Sequence, residues 1–147
     1  MSEAKAADVR FYVDADLLGL AQVLASLRPD VTYPGDPGAT VRGRVRPPCP
    51  LTTPDLTDDV WIPEVARRGW LAITRDRNIQ DRRSYLNLIR DFGGRLVTLS
   101  SADARDKWTQ LEVVMTQWRR IEALLEEPGP FVYTVTRVGG LTRVPGV

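Results

Sequence analysis

Residues 58–74, DDVWIPEVARRGWLAIT, read as a helix joined to a strand through a single glycine. Trp61 and Val65, with Ile62 and Ala66, recur at helical spacing. Pro63 falls near the first turn, where a missing N–H costs little. Gly69 ends the helix. WLAIT (70–74) is an unbroken apolar run of strand length, followed by Arg75 and Asp76. A strand apolar on both faces belongs inside a parallel sheet covered by helices on each side.

The same alternation continues in both directions. RFYVD (10–14) reads as a buried strand ending in an acid, and DLLGLAQVLASL (16–27) as a helix capped by Asp16. VTY (31–33) makes a second short strand. Downstream, SYLNLIRDFGG (84–94) reads as a helix closed by glycines and RLVTL (95–99) as a buried strand. Residues 102–127 form a long helix whose Trp108, Leu111, Met115, Trp118, Ile121 and Leu125 fit a core face or the seam of a homodimer. FVYTVTRVGGLTRV (131–144) predicts a hairpin around Gly139 and Gly140. Strand–helix alternation implies an α/β fold: a three-layer sandwich, its central and mostly parallel sheet flanked by helices, with a C-terminal long helix and β-hairpin. The expected organisation is a flexible tail over 1–9, a core over 10–100, and a helix and hairpin over 101–147 packed on the same domain. Residues 34–57, with six of the 11 prolines, admit no long regular element. A loop of that length within a domain is often functional.

The chain has 147 residues, a single domain's length, and a net charge of +1. It contains no histidine and one cysteine, Cys49. Ser-His-Asp and Cys-His catalysis are therefore excluded, as are histidine zinc sites and disulfides. Any chemistry must run on carboxylates, hydroxyls, arginines or a bound metal. The N-terminus lacks the apolar stretch of a signal peptide. The longest uncharged apolar-rich run, Leu17 to Leu27, is too short to span a membrane, which needs about 20 residues. A cytoplasmic protein without membrane association is expected.

Ligands of open parallel sheets gather outside the carboxyl ends of the strands. Asp14 closes the first strand and Asp76 follows WLAIT, so both reach one sheet edge; Asp58 and Asp59 open the intervening helix. Converging carboxylates repel unless a hard cation such as Mg²⁺ joins them. Such a site suits phosphodiester hydrolysis. Each acid also has a plainer reading: Asp16, Asp58 or Asp59 as helix caps, Asp76 as a turn residue.

FYVDADLL, TDDVWIPEVARRGWLAITRDRNI and GGRLVTLS together resemble the PIN-like domains of VapC-type toxins over roughly residues 10–100. The resemblance implies a Mg²⁺- or Mn²⁺-dependent endoribonuclease, the toxin of a type II toxin–antitoxin pair restrained by a small antitoxin protein. It implies Asp14, Asp58 and Asp76 as the metal-binding catalytic acids, with Asp59 and Asp16 as rivals. Many members carry a further acid where this chain has Asn78. Asn78 and Thr74 could support the site from behind. Between Arg67 and Arg95 eight arginines face three acids, a local excess of 8 − 3 = +5. Arg75, Arg77, Arg82 and Arg83 are candidate contacts to an RNA backbone. Two alternatives remain. One is a degenerate PIN-like binding or assembly module. The other is a haloacid-dehalogenase-like phosphatase with Asp14 as nucleophile and Ser100 and Lys107 as its further residues.

Overall fold

The structure is a computed structural model that describes residues 4–75 and 82–147. In chain order it has β1 (Lys5–Ala6), β2 (Phe11–Val13), a 3-10 turn (Ala15–Leu17), α1 (Leu18–Leu27), β3 (Val31–Thr32), β4 (Ala39–Val41) and β5 (Arg44–Arg46). Then follow α2 (Asp58–Arg67), β6 (Leu71–Arg75), α3 (Arg82–Phe92), β7 (Arg95–Leu99), α4 (Lys107–Ala123), β8 (Phe131–Thr136) and β9 (Gly140–Arg143).

Six strands form the main sheet in the order β3-β2-β6-β7-β8-β9; every pairing is parallel except β8 with β9. Alternation along the strands sorts their side chains into two cores. Phe11, Val13, Leu71, Ile73, Val97 and Leu99 pack against α1 and α4. Tyr12, Ala72 and Leu96 face Trp61, Ile62 and Val65 of α2 and Ile89 of α3. Helices thus cover both faces of a mostly parallel sheet, with a long C-terminal helix and a C-terminal strand pair. The family of short apolar strands is explained by this double burial.

Four local expectations need correction. Asp16 does not cap α1; the chain enters through the 3-10 turn, and Asp14 caps that turn by accepting from the Ala15 N–H at 2.7 Å. Pro63 is the sixth residue of α2, so its missing N–H falls in the second turn. In α4 the buried face is Gln110, Val113, Val114, Gln117 and Ile121, while Trp108 and Met115 are 77% and 67% exposed. Both glutamines satisfy backbone carbonyls: Gln110 that of Ala104, Gln117 those of Thr136 and Arg137. A polar residue with a carbonyl to reach can occupy a core position, which shifts the buried face away from the apolar stripe. The fourth concerns the N-terminal tail, while the proline-rich segment holds only two three-residue strands, in keeping with the absence of any long element. Lys5–Ala6 pair in parallel with β5, and β4 and β5 form a hairpin, giving a separate three-stranded sheet.

A buried ion pair anchors that small sheet. Arg46 Nε lies 2.6 Å from Asp36 Oδ2, with both side chains almost wholly enclosed. Asp36 also accepts from the Thr32 hydroxyl and the Gly38 N–H, and Arg46 donates to the carbonyls of Ala25 and Arg28 at the end of α1. One guanidinium therefore neutralises a carboxylate and donates to carbonyls at a helix end, where intrahelical partners run out. Gly38 makes this turn possible, because its φ is +83° and a Cβ there would press on the Arg46–Pro47 backbone.

Candidate functional site

Asp14 stands where β2 ends against β6. Its N–H donates to the Ile73 carbonyl at 3.0 Å, extending the β2–β6 ladder by one residue. Its side chain is 4% exposed and turns back to the following N–H. Residues two apart in a strand share a face, so Asp14 lies on the side of Tyr12 and α2. Thr74, on the neighbouring strand, is fully buried, and its hydroxyl lies 3.4 Å from the Tyr85 hydroxyl of α3.

The second acid, Asp58, stands at the start of α2. Asp58 is the first residue of that helix and Thr57 precedes it as the capping position, without a side-chain cap bond. Asp58 Oδ1 instead accepts from the Trp61 indole N–H at 2.9 Å. The Trp61 ring stacks on Tyr12, with centroids 5.5 Å apart and planes at 24°. Trp70 stacks on the same tyrosine at 6.3 Å. Asp58 thus fixes the ring packed against the residue two before Asp14. Asp59, in the same first turn, is exposed. Asp16 lies beside the end of β6, where its Oδ2 accepts from the Arg75 N–H at 3.4 Å.

Electrostatics ties Tyr12 to the acids. Burial pushes its phenol far above the ordinary range, and the charges of Asp14, Cys49 and Asp16 push it further. Tyr12 is therefore neutral at any physiological pH. Cys49 is buried too, and burial raises its thiol, so the single cysteine is a packing residue rather than a nucleophile. Trp61 and Trp70 are core residues, 1% and 9% exposed.

Asp76, Arg77 and Asn78 lie outside the described residues. Among the described residues no three acidic or sulfur side chains converge as a metal cage. The donor set that is described, Asp14, Asp16 and Asp58, is all carboxylate oxygen, the chemistry a hard divalent ion takes. Arg75 and Arg83 are exposed, and Arg82 opens α3. Ser100 donates to Asp103 Oδ2 at 3.1 Å and so closes a turn before α4.

A concavity of about 520 Å³ lies elsewhere, at the amino ends of β2 and β3, lined by Arg10, Arg28, Asp30, Arg42 and Arg44 among others. Asp30 accepts from both Arg10 and Arg28 there, which leaves this recess a structural ion-pair cluster opposite the strand ends where Asp14 sits.

Sequence reasoning missed Tyr12, Tyr85 and the Asp58–Trp61 bond. The i, i+2 spacing of Tyr12 and Asp14 and the i, i+3 spacing of Asp58 and Trp61 were the signals available. No helix among the described residues is long and apolar enough to cross a membrane.

Comparison with curated proteins and with solved structures gave no match. A family model described as a PIN like domain matches residues 9–101, well over half the chain and the whole run from β2 through β7. That match, on an α/β sandwich with helices on both faces of a mostly parallel sheet, places this chain in the PIN-like domain family, with a nuclease-type fold.

Proposed function

We propose that the protein is a metal-dependent endoribonuclease and the toxin of a type II toxin–antitoxin pair. The observation that supports it most is Asp14: an acid 4% exposed at the carboxyl end of a central parallel strand, with Asp16 beside the end of the neighbouring strand β6. Asp14, Asp58 and Asp76 would hold Mg²⁺ or Mn²⁺. When bound, such an ion supplies an activated water and neutralises charge on a phosphodiester.

The chain's own residues then have distinct tasks. Asp14 is presented by the β2–β6 ladder, and Asp58 by the start of α2, where its bond to Trp61 sets its direction. Tyr12 stays protonated and adds no competing charge. Thr74 and Tyr85 form a hydroxyl pair behind the site, and Asn78 stands two residues after Asp76. Arg75, exposed at the end of β6, and Arg83, exposed on α3, would meet the RNA backbone with Arg77 and Arg82. A small antitoxin protein is the partner this reading implies.

The experiment is RNA cleavage by the purified protein with Mn²⁺ or Mg²⁺, repeated after chelation and with Asp14→Asn. Cleavage should require the ion and fall by at least about a hundredfold in the variant, the scale of losing a positioned charge in a reaction centre. No cleavage of any RNA, with no rise in melting temperature on adding the ion, would favour a PIN-like binding module. Growth arrest on expression, relieved by Asp14→Asn, tests the toxin role separately.

A further inference from the structure

Four arginines line the concavity of about 520 Å³ at the amino ends of β2 and β3, and they come from two walls. On the wall of the main sheet, Arg10 and Arg28 are both held by the Asp30 carboxylate, with Glu122 behind them. Arg28 is further fixed over the Trp118 ring, 4.6 Å from its centroid. Each guanidinium keeps N–H groups beyond those that Asp30 uses. On the wall of the small sheet stand Arg42 and Arg44, exposed and without an ion pair among the described residues. Arg44 shares a face of β5 with Arg46, whose guanidinium reaches the carbonyls at the end of α1, so Arg44 faces the main sheet's wall across the recess.

Arg42 stands in a strained turn. With Gly43 it forms the two-residue connection between β4 and β5, at φ of +49° and +76°. Such a turn takes asparagine, aspartate or glycine at its first position, and arginine there is held in the left-handed region at a cost in stability. At the rim of a recess that carries unpaired cations, that strain indicates a binding role.

We infer that this recess binds a phosphate-dense anion between Arg42 and Arg44 on one side and Arg10 and Arg28 on the other. Arginine forks match the paired oxygens of a phosphate. Four arginines line it against Asp8 and Asp30, an excess of 4 − 2 = +2, which favours an ion of several charges over a lone carboxylate. No aromatic ring is among the described residues that line it, so it offers no platform for a base and recognises phosphates alone. Its volume is that of a small-ligand site. Adjacent phosphates of a free polyphosphate and of a nucleic-acid backbone present this same chemistry. The recess lies at the other end of β2 from Asp14 and does not depend on the proposed catalysis.

Calorimetric titration of the full chain with tripolyphosphate, in chelator so that no metal contributes, tests this. The wild type should bind it at one site, more tightly than inorganic phosphate. Arg42→Gln combined with Arg44→Gln should weaken binding at least about tenfold, the scale of a charge-assisted hydrogen bond. Arg42→Asn should weaken binding while raising the melting temperature by about 2–4 °C, since asparagine suits the turn. Asp8→Asn should tighten binding about threefold. Asp14→Asn should bind as the wild type does, which separates this site from the candidate catalytic edge. A labelled RNA oligonucleotide distinguishes the two sources. Displacement by tripolyphosphate and loss in the double variant identify a nucleic-acid backbone as the ligand; RNA binding that responds to neither identifies the free anion. A wild type that does not bind tripolyphosphate overturns the proposal. So does a double variant of equal affinity, or undiminished binding by Arg42→Asn.

Discussion

Asp30 shows how one carboxylate can hold a junction of elements. Burial on its own would raise its pKa; hydrogen bonds from Arg28 and then Arg10 outweigh that and hold the carboxyl below the ordinary range. A group whose folded pKa is depressed stabilises above its unfolded value, near 3.9 for an aspartate, and loses that contribution as pH falls through the folded value. Asp30→Asn should therefore cost about 2 kcal/mol at neutral pH, the scale of charge-assisted hydrogen bonds. The gap from wild type, followed by urea unfolding, should close below about pH 4. A gap that persists at low pH would mean the residue acts through packing.

At the scale of elements, the Asp36–Arg46 pair fixes a segment that reads from sequence as irregular. Arg46→Ala would leave a buried carboxylate without its cation and should cost about 3–5 kcal/mol in denaturant unfolding. Replacing both residues by apolar ones of similar size should cost much less, and an equal loss would show that the Asp36 turn, rather than the charge, is at stake. The sequence made the main strands and helices legible because double burial writes itself as apolar runs, as in WLAIT and RLVTL. It made Asp14 and Asp58 visible as acids at element ends. It hid β4, β5 and the role of Arg46, because three-residue strands have too short a period to read and a buried arginine looks like any other. The buried side of α4 was obscured for a related reason, since Gln110 and Gln117 satisfy carbonyls that no local pattern reveals. Asp58 and Trp61 were each noticed, but only coordinates show that one holds the other.

For the molecule as a whole, the family match ends at residue 101 while the sheet does not. β8 pairs with β7 along five residues, from Arg95 with Phe131 to Leu99 with Val135. A chain cut after residue 101 would expose that edge of β7 and uncover the core face under α4. Such a truncation should be largely insoluble, whereas the full chain should unfold as one cooperative unit. A soluble, cooperatively melting fragment 1–101 would show that the C-terminal segment is an accessory.

The pairing of β2 with β6 carries a kinetic consequence. Val13 and Ile73 are partners in the ladder although 73 − 13 = 60 positions separate them. Closing a loop of that length costs about 3–4 kcal/mol of chain entropy before any contact repays it. A neighbouring parallel pair, β2 with β3, joins much nearer stretches of chain, Phe11 with Val31. During synthesis, then, β2, α1 and β3 can condense while Asp14 still borders open water. The edge where Asp14 meets β6 comes into being only when the ribosome has released the chain beyond residue 75, so the candidate site is among the later features of this protein to mature.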